Sequence, residues 1–100
     1  MSFVLIKNGK VELRNESGSL IKTIGSGHAI DANINSAGTL VLITLDNGMV
    51  KLYKESGSLI GTIGNGRATG AKFSGADILI QLSTGKQELR KESGSLIRTL

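Results

Sequence analysis

The stretches "NGKVELRNESGSLIKTIGSGHA" (residues 8–29) and "NGMVKLYKESGSLIGTIGNGRA" (residues 47–68) agree at 15 of 22 positions. Their shared hexapeptide "ESGSLI" occurs at 16–21, at 55–60 and a third time at 92–97, with separations of 39 and 37 residues. Such self-similarity marks a chain built from one supersecondary unit used repeatedly, and the unit decides the fold.

The complete middle unit reads as four short apolar stretches: "AIDANIN" (29–35), "TLVLITL" (39–45), "MVKLYK" (49–54) and "SLIGTI" (58–63), divided by "SAG", "DNG" and "ESG". Short runs of Val, Ile, Leu and Thr bounded by Gly-containing separators read as strands and tight turns. Fourteen Gly and no Pro agree with that reading. Asn8-Gly9 and Asn47-Gly48 are expected to form two-residue type I′ hairpins, because both residues accept positive φ. Four antiparallel strands per roughly 40 residues is the arithmetic of one β-propeller blade. A β-helix uses repeats of about 20 residues and parallel stacking, which the Asn-Gly hairpins disfavour.

The middle unit also resembles a blade of the WD-repeat family. A Gly-His pair (Gly27-His28) precedes the inner strand, "VKLY" stands where the family closes its third strand with Trp-Asp, and "AKFSG" (71–75) is similar to the family's inner-strand ending. Tyr53 occupies the Trp position, Arg14 and Arg90 occupy it in the other two units, and Lys54 replaces the Asp. The resemblance implies an all-β propeller, with a hydrogen-bond network through His28, Thr44, Asn47 and Tyr53 rigidifying one blade per chain.

Aligned to this pattern, the 100 residues hold eleven strands. The expected division is an incomplete three-stranded blade over 1–25, a second blade over 26–64 and a third over 65–100, the first beginning at its second strand, "FVLI" (3–6). Fewer than three blades cannot close a ring, since propellers use about four to eight. The expectation is therefore a ring completed by a cyclic homo-oligomer, with a dimer of six blades ahead of a trimer of nine. The first and third units share "K-x-E-L-R-x-E-S-G-S-L-I", as neighbours across a subunit boundary would.

Several function classes find little support. The formal charge of +4 is scattered without a basic run, and only Phe3, Tyr53 and Phe73 are aromatic, so a nucleic-acid interface is not indicated. The absence of Cys removes thiol nucleophiles, thiolate metal sites and disulfides. "DANIN" has the D-x-N-x-N spacing of a Ca²⁺ loop without its Gly or distal Glu, so no metal or other cofactor is expected. Asp31, Asn33 and Asn35 are expected on one strand face opposite Ile30, Ala32 and Ile34, with Lys72 placed to neutralise Asp31 from the next blade. One His and turn-bound Glu residues offer no catalytic arrangement, so the chain is not read as an enzyme.

No apolar run is long enough to cross a bilayer and the N-terminal segment "MSFVLIKNGK" has no basic leader, which gives the expectation of a soluble, cytoplasmic protein. His28 and Arg67 hold matching places in "GSGHA" and "GNGRA" and are the candidate ligand-binding residues on one rim. The resulting functional expectation is a non-catalytic, self-assembling binding or scaffold module. The alternative is a multivalent lectin-like binder of carbohydrate or a surface polymer.

Overall fold

The computed structural model describes residues 2–25, 27–64 and 66–100. Ser26 and Asn65, at which the second and third units are expected to begin, lie outside the described residues, as does Met1. The chain is all-β, and its described residues form eleven strands: β1 (Phe3–Lys7), β2 (Lys10–Arg14), β3 (Leu20–Ile24), β4 (Ala29–Ile34), β5 (Leu40–Leu45), β6 (Val50–Lys54), β7 (Leu59–Ile63), β8 (Ala68–Ser74), β9 (Asp77–Leu82), β10 (Gln87–Arg90) and β11 (Leu96–Thr99). Every pairing is antiparallel between sequence neighbours, giving a three-stranded sheet β1–β3 and two four-stranded sheets, β4–β7 and β8–β11. Among the described residues, no helix is long and apolar enough to cross a membrane.

The second sheet is buried on both faces, which explains why "LVLIT" in β5 is a continuous apolar run instead of an alternating one. Val41 and Ile43 point to the first sheet and pack with Val11, Leu13, Ile24 and Ala29. Leu42, Val50, Leu52 and Ile63 point the other way, onto Ala68, Ala71, Ile78 and Ile80 of the third sheet. Small side chains on β4 and β8 let these first strands approach the preceding sheet: β4 packs on β1, and β8 packs on β4 and β5.

The hairpins after the second strand of each unit differ. Asn8 and Gly9 both take positive φ, as a type I′ turn requires. At Asn47-Gly48 the expected type I′ turn is not formed, because Asp46 adds a residue: Leu45 N–H donates to Met49 O, Gly48 N–H to Leu45 O, and only Gly48 has positive φ. The third unit repeats this longer turn, with Leu82 N–H donating to Lys86 O and Gly85 N–H to Leu82 O.

One expected face assignment changes as well. The pairing skips Ile30, between Ala29 opposite Leu45 and Asp31 opposite Thr44. Ile30 is thereby half exposed, while Ala29 is buried and Ala32 and Ile34 lean on the core. The Ile of each "SLI" is skipped in the same manner, so Ile21, Ile60 and Ile97 bulge outward beside equally exposed Leu20, Leu59 and Leu96. Only the last residue of the outer strand, Ile24 or Ile63, is inserted in the core.

Candidate functional site

The repeat brings three features to one side of the molecule: the Gly of each hairpin turn, the residue before each first strand, and the start of that strand. Ala29 N–H donates to Gly9 O at 2.8 Å, and Ala68 N–H donates to Gly48 O at 3.0 Å. These bonds stitch each sheet to the one before it. A Cβ on Gly9 would lie a tight 3.1 Å from His28 N, and one on Gly48 only 2.3 Å from Gly66 O, so positive φ favours glycine at both places and contact also requires it at Gly48. Gly85, the third member of the set, meets nothing within 4 Å.

His28 and Arg67 occupy equivalent places. The carbonyl of His28 accepts from Asp46 N–H at 2.9 Å and that of Arg67 from Ser83 N–H at 2.9 Å, each from the extra residue of its own unit's longer turn. Their side chains differ in surroundings. His28 sits at positive φ (64°), and its exposed imidazole has Nδ1 3.6 Å from Asp46 Oδ2. Arg67 lines a cavity of about 440 Å³ with Leu82, Thr84, Lys86, Glu88 and Thr99, and also borders a groove of about 280 Å³ that includes Asp46, Asn47 and Ser83.

Among the described residues, no hydrogen bond joins the four residues of the expected network to one another. His28 meets Asp46; the Asn47 side chain accepts from Met49 N–H at 3.0 Å; Tyr53 leans on the core between the first two sheets; and Thr44 is buried on the opposite face of β5. Tyr53 and Thr44 stand on opposite faces because β5 and β6 alternate strictly, and the inserted Asp46 takes the place nearest the imidazole. Lys72 likewise forms no ion pair with Asp31 among the described residues. Asp31 Oδ2 accepts from Ala71 N–H at 3.2 Å, while Asn33 Nδ2 donates to Ala71 O at 2.6 Å. The polar pair on β4 therefore ties the second sheet to the third through backbone, with Lys72 lining the same small cavity.

Two side chains that sequence reasoning treated only as departures from a Trp position have a specific task. Arg14 donates to Glu12 Oε1 and, through Nη1, to Gly18 O at 2.6 Å. Arg90 repeats this with Glu88 at 3.0 Å and Gly94 O at 2.8 Å, and is only 8% exposed. Each guanidinium fixes the turn of its own hexapeptide with charge-assisted bonds. The signal was present as "E-L-R-x-E-S-G", which the middle unit lacks.

A further link crosses between units. Lys22 Nζ on β3 donates to Ser56 O, in the hexapeptide turn of the second unit, at 2.7 Å. The residue equivalent to Lys22 is Gly61 in the second unit and the exposed Arg98 in the third, since Leu13, Leu52 and Leu89 pair with them in turn.

The chain matches no protein-family model, and no curated protein shows significant similarity to it.

Proposed function

We propose that this chain is a non-catalytic, self-assembling β-propeller module, in which each sheet is one blade and the ring is closed by head-to-tail association of copies, two being favoured. One observation carries the reading: the positions that bury each sheet against the next recur, unburied, on the two end sheets. Leu42, Thr44, Val50, Leu52 and Ile63 of the second sheet are all at most 1% exposed beneath the third. By strand pairing their counterparts in the third sheet are Leu79, Gln81, Gln87, Leu89 and Leu100, none of them buried, with Leu100 at 61%. At the other end Phe3 and Leu5 stand where Val41 and Ile43 are buried in the second sheet.

Faces that match the two halves of an internal seam are complementary to each other across copies, and heterologous contacts whose rotation closes make rings. Exposed apolar surface of this kind favours association. Closure would bring Arg98 of one copy to Ser17 O of the next, as Lys22 reaches Ser56. It would also repeat the His28 and Arg67 rim around the axis, multiplying a weak contact into avidity for a repetitive ligand.

Paired substitutions test the head-to-tail arrangement. Leu89→Arg spoils one end and Leu5→Arg the other, so each variant alone is expected to sediment as a monomer while an equimolar mixture regains association through the untouched faces. Unchanged masses for both single variants contradict the proposal.

A further inference from the structure

The free edges of the three sheets are not alike. Five edge strands, β3, β4, β7, β8 and β11, each carry an extra residue that breaks the ladder: Ile21, Ile30, Ile60, Thr69 and Ile97. Such bulges twist an edge and discourage pairing with another chain. The sixth edge, β1, has none. Phe3 to Lys7 pair with Arg14 to Lys10 in unbroken register, and the segment is the β-prone run "FVLIK".

The strand is built like an interior one. Its counterparts are β5 and β9, each flanked on both sides, by β4 and β6 or by β8 and β10. Ile6, on the face turned toward the second sheet, is 37% exposed, whereas the equivalent Thr44 is 1% exposed. The neighbour that covers such a strand has a defined chemistry in the two other units. It begins with a buried Ala, bulges by one residue, continues with a residue of small or short polar side chain, and has a second Ala: Ala29, Ile30, Asp31, Ala32 in β4 and Ala68, Thr69, Gly70, Ala71 in β8.

We infer that β1 is an acceptor for an extended polypeptide segment of this β8-like pattern, which adds antiparallel as a fourth strand on the first sheet. Backbone hydrogen bonds along β1 supply the attraction. Small side chains at the first and fourth positions let the guest lie close to the adjoining sheet, as β8 does. The guest strand is shorter in its anchoring than β4 or β8 at one end, because the two-residue Asn8-Gly9 turn has no counterpart of Asp46 to bond its leading carbonyl. The inference concerns an edge and not the end faces, so it stands or falls separately from ring closure.

The probe is the synthetic peptide GRATGAKFSG, a copy of residues 66–75, titrated into the full chain. Hydrogen exchange of β1 amides is read with and without it, beside a control peptide N-methylated at alternate amides. The expected result is saturable binding that slows exchange of alternate β1 amides by about tenfold or more, lost with the N-methylated peptide. No saturable binding, equal binding of the N-methylated peptide, or β1 amides already fully protected by pairing between copies would each overturn the inference. Solution mass in the absence of peptide is recorded in parallel. A monomer that binds the peptide sinks ring closure alone, and an oligomer that does not bind it sinks strand acceptance alone.

Discussion

The second sheet's face toward the third and the third sheet's outward face are the same face built twice. In the first, Leu42, Thr44, Val50, Leu52 and Ile63 are sealed; in the second, Leu79, Gln81, Gln87, Leu89 and Leu100 meet solvent. Two of the five positions are changed to Gln in the outward copy. Glutamine keeps the face soluble while leaving three Leu side chains to pack, so a junction formed there is wetter and more reversible than the internal seam. The seam inside the chain serves folding, and its outward copy is the face that the proposed assembly would use.

Substituting the same residue at equivalent places should separate the two roles. Leu52→Ala removes a fully buried side chain from the seam between the second and third sheets and should destabilise the chain by about 2–5 kcal/mol in denaturant titration. Leu89→Ala, its outward counterpart, should cost about 1 kcal/mol or less in a dilute monomer yet weaken association. Equal destabilisation by both would show that the outward face is as much a part of the folded core as the internal seam.

Glycines give the next largest contrast. Gly48→Ala places a Cβ 2.3 Å from Gly66 O at a φ of +87° and should cost about 3 kcal/mol or more. Gly85→Ala has the same backbone conformation, φ +89°, with open space around it, and should cost about 1 kcal/mol. Thermal melts of the two variants check this ordering.

The arginine locks rank third. Arg90→Ala leaves Glu88 and the Gly94 carbonyl without their partner in a nearly buried setting and should cost about 3 kcal/mol. The more exposed Arg14 should cost about 1 kcal/mol. The smallest expected effect is at the inter-unit cation. Lys22→Ala should change stability by about 0.5 kcal/mol or less, while Arg98→Ala should leave the melting temperature unchanged and shift dissociation to higher protein concentration.

Much of this was legible in the sequence for a local reason. Strand positions follow from apolar runs between Gly-containing turns, so β4 to β7 fall within a residue or two of the stretches read from "AIDANIN", "TLVLITL", "MVKLYK" and "SLIGTI". The bulges were not legible, because an extra residue is defined only against the partner strand. Their omission put Ile30 on the wrong face. The turn at Asn47-Gly48 was misread because Asp46, one letter upstream, converts a two-residue loop into a three-residue one. That same Asp46 meets His28, which is why the network expected through Asn47 does not assemble. The Arg14 and Arg90 locks were hidden for a different reason: set against a Trp position each Arg reads as a departure, whereas its partner is the Glu two residues earlier.

Whether the outward faces close on each other is read most plainly from the mass of the chain in solution. Light scattering on a monodisperse sample should return a multiple of 10.5 kDa, with two copies expected first and three next. A single species of 10.5 kDa that persists at high protein concentration would contradict that closure.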